Sequence, residues 1–286
     1  MPYQFLPITS QETDREHAKI IVLPVPFDYT ASYKTGARDG PQAILAASKN
    51  LELYDEETGT EVYTQGFYTL EPLEPVLPVE EMVRKIQTTV LNVLQHGQFP
   101  VVLGGDHSVS IGAIEAACKY FGRINIVQFD AHTDMRESYL GTPYSHACVM
   151  RRVWKSGNVI QIGQRATSCE EMEFLTAQNR LPIWAKDVIY DRKQSISKLL
   201  ERLESIPTYI TIDVDSMDPS IMPATGTPEP GGLSWFHLLE CLRAVVAHTQ
   251  IIGFDVVELS PIPGYHAADF LTARLIYKLA SYIFSK

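Results

Sequence analysis

Three short segments of this chain place groups of a kind that bind metals or move protons. The first is Asp130-Ala131-His132-Thr133-Asp134, which follows the apolar run Ile124–Phe129. Side chains of an extended chain alternate between faces, so Asp130, His132 and Asp134 are expected on one side if the strand runs on. Ionisable groups crowded at a buried strand end are costly without a counter-charge. Taken alone, the segment is as consistent with a solvated loop as with a site. The second segment, Thr211-Ile212-Asp213-Val214-Asp215, ends another apolar run with carboxylates again two residues apart. Asp218-Pro219 just beyond it reads as a turn. In the third, Val101–Leu103 runs into Gly104-Gly105-Asp106-His107-Ser108, a glycine pair followed by a histidine at the mouth of a helix. A lone loop histidine is more often structural than a ligand. Together, however, the segments supply His107, His132, Asp130, Asp134, Asp213 and Asp215. Four carboxylates in one pocket repel each other, and two divalent cations would neutralise them. An oxygen-rich donor set without thiolates suits a hard ion such as manganese better than a structural zinc.

The elements that must position these groups alternate along the chain. Strands are expected at 19–25, 99–103, 124–129, 158–162, 208–214 and 250–257. Most are near-continuously apolar, as in strands buried on both faces of a parallel sheet. Helices are expected between them, at 41–54, 80–96, 108–120, 168–178, 193–204, 234–247 and 268–284. The alternation predicts an α/β domain with helices on both sheet faces. In such sheets ligands sit beyond the carboxyl ends of the strands. Pro41 suits a first helical position, and Ser234 suits an N-cap. The acidic, proline-bearing stretch 55–79 reads as loop with one edge strand. No repeat or linker divides the chain, so residues 1–286 are expected to form one domain.

Composition narrows the function. The formal net charge is −10, which argues against nucleic acid and against anionic membrane surfaces. Cys118, Cys148, Cys169 and Cys241 form no C-x-x-C pair or disulfide framework. Residues 1–19 lack the apolar core of a signal peptide, and no run approaches the ~20 apolar residues of a membrane span. A soluble cytoplasmic protein is the expectation.

The three segments resemble the metal motifs of the ureohydrolases, the arginase–agmatinase family, and stand in that family's order. Thr225-Gly226-Thr227-Pro228-Glu229-Pro230-Gly231-Gly232, Asp255-Val256-Val257-Glu258-Leu259-Ser260-Pro261 and Gly36-Ala37-Arg38-Asp39-Gly40-Pro41 extend the resemblance over nearly the whole chain. It is similar above all to bacterial and archaeal agmatinases. The resemblance implies a three-layer α/β/α sandwich with a mostly parallel central sheet. It further implies that His107, Asp130, Asp134 and Asp213 hold one manganese ion, and that Asp130, His132, Asp213 and Asp215 hold a second. Asp106 would orient His107 from behind. His146 stands where the family has a proton-shuttling histidine, although Ala147 follows it where glycine is usual. Glu258 stands where the family has a carboxylate that binds the substrate guanidinium, a planar fork matched to a carboxylate.

The implied reaction is hydrolysis of agmatine to putrescine and urea, with a water activated between the two ions and a histidine protonating the leaving amine. The segment Met135–Tyr144 lacks the asparagine and serine–threonine stretch through which arginases hold the substrate's amino-acid end. Guanidinobutyrate, guanidinopropionate, guanidine and arginine remain alternatives, and Arg136 could meet a substrate carboxylate. A deacetylase-like metalloenzyme and an inactive binding protein on the same fold are the readings outside this class. The family implies a homotrimer or homohexamer and a small cationic guanidino substrate as partner. His96, His237 and His266 have no partner motif and read as structural.

Overall fold

In the computed structural model, which describes residues 4–8 and 14–285, the backbone is organised around one sheet of seven strands. They are β1 (Ile20–Val25), β2 (Phe67–Thr69), β3 (Phe99–Gly104), β4 (Ile124–Phe129), β5 (Gly157–Ile162), β6 (Thr208–Asp213) and β7 (Ile251–Val257). Across the sheet they run β2-β1-β3-β7-β6-β4-β5. The expectation of a mostly parallel sheet is met in full, since every neighbouring pair is parallel. Every residue of β1, β4, β5, β6 and β7 is buried, which explains their mostly apolar character. Part of the amino-terminal stretch expected to lack a signal peptide, residues 1–3 and 9–13, lies outside the described residues.

Alternate strand residues feed two cores. Val22, Val101, Leu103, Val127 and Phe129 pack with α1 (Gly40–Ser48), α8 (Trp235–His248) and α9 (Ala267–Phe284). Leu23, Val25, Val102 and Ile126 pack on the other face with α2 (Val79–Gln95) and α3 (Val109–Phe121). The result is a three-layer α/β/α sandwich. The remaining helices are α4 (Val149–Val153), α5 (Cys169–Ala177), α6 (Ala185–Tyr190) and α7 (Arg192–Arg202). Among the described residues no helix is long and apolar enough to cross a membrane.

One helix end and two short helices differ from the sequence expectation for physical reasons. The first helix ends at Ser48 rather than at residue 54. Beyond it, the carbonyls of Glu52 and Leu53 accept side-chain hydrogen bonds from Arg274 and Tyr277 of α9 and so leave the helical ladder. The short helices α4 and α6, of 5 and 6 residues, are below the length at which an apolar period can be read. Because all strands point one way, their carboxyl ends share one edge. β3, β7, β6 and β4 are consecutive in that edge, so the loops carrying His107, Glu258, Asp213 and Asp130 become neighbours.

Candidate active site

The loops converge, but not by the route the alternation suggested. β4 stops at Phe129, and Asp130–Asp134 is not a continuing strand. Asp134 takes a left-handed backbone, φ 50°, and His132 pairs instead with Ala166 beside β5. Asp213 closes β6, and Asp215 lies in the 3-10 turn Val214–Ser216. Asp213 accepts the backbone N–H of Asp215 at 2.8 Å, which closes that turn. Coil and turn, not pleat, therefore direct Asp130, Asp134 and Asp215 inward, while Asp213 stands on the last residue of its strand. Glu258 is left-handed too, φ 66°. Strained non-glycine residues of this kind concentrate at functional sites. The glycine pair has a steric cause, since a Cβ on Gly105 would collide with the Phe27 carbonyl.

His107 Nδ1 lies 3.0 Å from Asp130 Oδ2, 2.9 Å from Asp134 Oδ2 and 3.6 Å from Asp213 Oδ2. His132 Nδ1 lies 2.9 Å from Asp215 Oδ2 and 3.6 Å from Asp130 Oδ1. Two groups of donors result, His107–Asp130–Asp134 and Asp130–His132–Asp215, with the atoms of each within 4.8 Å of one another. Asp130 belongs to both. All six residues expected to bind metal are thus brought together.

The electrostatics are those of a cluster balancing its own charge. Burial pulls His107 down, yet its contacts with Asp130 and Asp134 raise its pKa well above the ordinary histidine value. His132 behaves alike, with burial outweighed by Asp215 and Asp130, and is pushed up to about 12. Asp134 is raised to about 7 by burial and by Asp130. Asp213 is raised well above its usual range by burial, Asp215 and Asp130. Asp130 is lowered, its burial overcome by the two histidines. His107 Nδ1 and Asp215 Oδ2 are buried without a well-aligned hydrogen bond and face only oppositely charged atoms of the cluster. Buried Asp and His atoms that meet only one another in this way fit divalent cations.

Groups behind the histidine support that fit. His107 Nε2 is 2.9 Å from Thr211 Oγ1, and Thr211 donates its hydroxyl to Asp255 Oδ1 at 2.6 Å. Thr211 therefore accepts a hydrogen bond from Nε2–H, which leaves the Nδ1 lone pair for a cation. Asp106 does not orient His107 as expected. It accepts from Thr30 N and Oγ1 and from Ser108, and faces the other histidine of the site, His146.

A cavity of about 300 Å³ opens over the cluster; His107, His132, Asp134, Asp213, His146 and Glu258 all line it. Its volume suits a small molecule rather than a polymer. Glu258 Oε1 accepts His107 N–H at 2.7 Å, and burial together with Asp106 raises its pKa well above the carboxylate range. His146 starts a 3-10 turn capped by Ser145, and Ala147 has no left-handed backbone to demand a glycine. Burial lowers the His146 pKa, opposed by Asp106. Arg136 also lines the cavity, but its guanidinium stacks 5.0 Å from the Tyr139 ring and its Nε is 4.0 Å from Glu171.

Other expectations resolve simply. Asp218 is a turn residue that accepts from Ser220, Gly231 and Gly232. His237 completes a capping box with Ser234, His96 bonds its own helix at Asn92, and His266 faces Asp269 at 3.7 Å. Sequence reasoning missed Thr30, Ser32, Glu171 and Arg165. Glu171 anchors the motif loop through Thr133 and Met135. Arg165 ties the backbone carbonyls of Asp215 and Glu229 together. None of these carries a motif of its own. The only available signal was position beyond a strand's carboxyl end.

Comparison with known proteins gives one consistent picture. A sequence model of the arginase family matches residues 18–284. The chain is 37% identical to N(1)-aminopropylagmatine ureohydrolase of Synechocystis sp., covering 98% of this chain and 94% of that protein. It is 33% identical to the agmatinase of Bacillus anthracis, covering 86% of this chain and 85% of that protein. Among solved structures, the agmatine ureohydrolase of Thermoplasma volcanium superposes with a TM-score of 0.85 at 33% identity, covering 94% of this chain and 91% of that one.

Proposed function

The chain belongs to the arginase family of hydrolases, and from that membership we propose that it hydrolyses the guanidinium group of agmatine, releasing urea and putrescine. The observation that carries this reading is the shared ligand Asp130, whose two donor groups open onto the same cavity as Glu258 and His146. A second reading, N1-aminopropylagmatine as substrate with release of urea and the corresponding triamine, is favoured by the name of the Synechocystis relative. Both substrates carry amines at the end remote from the guanidinium, and neither carries a carboxylate.

His107, Asp130, Asp134 and Asp213 would hold one ion, and Asp130, His132, Asp213 and Asp215 the other. The hard oxygen donors and two imidazoles make manganese our assignment. When bound, such a pair supplies Lewis acidity and lowers the pKa of water toward neutrality. The chain's own residues do the rest. Glu258 Oε1 is committed to His107 N–H, so Oε2 is the oxygen that receives the guanidinium. The cationic substrate also relieves the burial that raises this carboxyl. His146, in the cavity wall, hands a proton to the departing amine. Arg136, engaged by Tyr139 and Glu171, is drawn away from a substrate carboxylate, which disfavours an amino-acid substrate.

We read residues 1–286 as one ureohydrolase domain of the cytoplasm, forming a homotrimer or homohexamer and contributing to polyamine synthesis. The test is urea release from agmatine, N1-aminopropylagmatine, arginine, 4-guanidinobutyrate, 3-guanidinopropionate and guanidine under matched manganese. The proposal expects kcat/KM for one of the two amines to exceed that for arginine by ~10²-fold or more. A preference for arginine or a guanidino acid would overturn it.

A further inference from the structure

The loop between β1 and α1 holds both ring nitrogens of His146. Asp28 fixes this loop at its ends, pairing with Arg38 Nε at 2.5 Å and accepting Gly36 N–H at 2.9 Å. Within it, Thr30 Oγ1 lies 3.3 Å from His146 Nδ1 and Ser32 Oγ lies 3.3 Å from His146 Nε2. A hydroxyl has one proton to give. Thr30 gives its proton to Asp106 Oδ2 at 2.9 Å, while the same oxygen of Asp106 also accepts Thr30 N–H at 2.8 Å. The other oxygen of Asp106 accepts from Ser108 N and Oγ, so all four contacts to this carboxylate come from donors and Thr30 spends its proton there. Thr30 Oγ1 is left with two lone pairs. One accepts His146 N–H at 2.9 Å, and the other faces Nδ1.

From this hydrogen-bond polarity the geometry points to Asp106 and Thr30 as a positioning pair that holds neutral His146 in its Nδ1–H tautomer. Nε2 is then the atom that moves the proton, and Ser32 steadies it. The proposal rests on the guanidinium-hydrolysis reading above. As the oxygen of water bonds to the guanidinium carbon, one water proton passes to Nε2. As the carbon–nitrogen bond breaks, Nε2–H gives that proton to the leaving amine, and the ring returns to its starting tautomer. Ser32 donates to Nε2 while the ring is neutral and accepts from Nε2–H while it is charged. Ser145 Oγ, also 3.3 Å from Nδ1, has a free lone pair and is compatible with Nδ1–H.

Nitrogen-15 spectroscopy of the full chain loaded with a diamagnetic divalent ion tests this directly, with the His146 signals assigned by His146→Gln. The wild-type ring is expected as Nδ1–H. In Thr30→Val it should shift toward Nε2–H, kcat should fall by roughly tenfold to a hundredfold with KM little changed, and Thr30→Ser should restore both. A wild-type ring found as Nε2–H would overturn the proposal, whether or not any variant folds. So would an unchanged tautomer and kcat in a folded Thr30→Val. Failure of the wild type to release urea from any guanidino compound would instead sink the hydrolase reading, which the spectroscopic arm does not use.

Discussion

His107 and Thr211 meet 2.9 Å apart across the floor of the cluster, and the contact turns the histidine's Nδ1 toward three aspartates. Removing the threonine hydroxyl should loosen that imidazole. Thr211→Val is expected to weaken metal affinity about tenfold to a hundredfold, as loss of a group behind a metal ligand commonly does. Competition with a chelator of known affinity measures it. Unchanged affinity would detach Thr211 and Asp255 from the site.

Metal binding should depend on pH with a definite sign. His107 and His132 have raised pKa values, as do Asp134 and Asp213. The cation-free cluster therefore holds protons at neutral pH that bound cations must displace. Affinity should rise with pH across the neutral range, and binding should release protons. Calorimetry in buffers of different ionisation enthalpy counts them. Binding without proton release would contradict the ligand assignment.

Glu258→Gln keeps the shape of the side chain and removes its charge. Its contact with His107 N–H can survive, so metal content should be retained. The charged hydrogen bonds to a guanidinium are lost, and kcat/KM for agmatine should fall at least about tenfold to a hundredfold. Native turnover in this variant would remove Glu258 from the substrate's reach.

Much of the sheet was legible because β1, β4, β6 and β7 are buried throughout and read as mostly apolar, β-branched runs. The convergence of His107, Asp130, His132, Asp134, Asp213 and Asp215 was legible because they cluster in short segments. The reason given for their convergence was wrong, however, because Asp134 and Asp215 turn inward through a left-handed residue and a 3-10 turn. Thr30 and Ser32 were not legible at all. They reach His146 across more than a hundred residues, and no local spacing encodes such a contact. The same distance in sequence hid Lys278, which reads as an ordinary helix residue.

Lys278 of α9 has a side chain only 3% exposed and meets Asp55 at 3.0 Å, Glu56 at 2.7 Å and Glu57 at 3.2 Å. Its removal strands buried Asp55, and Lys278→Met should cost about 3–5 kcal/mol of stability. Burial opposes the Lys278 charge, but the three carboxylates raise its pKa, so its contribution is complete at neutral pH and fades above about pH 10.5. Asp55 is lowered despite burial, by Thr58 and Lys278, so its contribution fades below about pH 4. Thermal melting across pH should show both arms, and the variant should lose the alkaline one. A variant as stable as the wild type would show the cluster to be idle.

The central claim is that the six donors hold two ions and that both are needed to cleave a guanidinium. Titrating cation-free protein with manganese while recording urea release from agmatine or N1-aminopropylagmatine tests it most directly. The account predicts that activity saturates at two equivalents of metal and that Asp213→Asn loses both metal and rate. Full activity at one equivalent, or urea release without added metal by a protein shown to be metal-free, would contradict it.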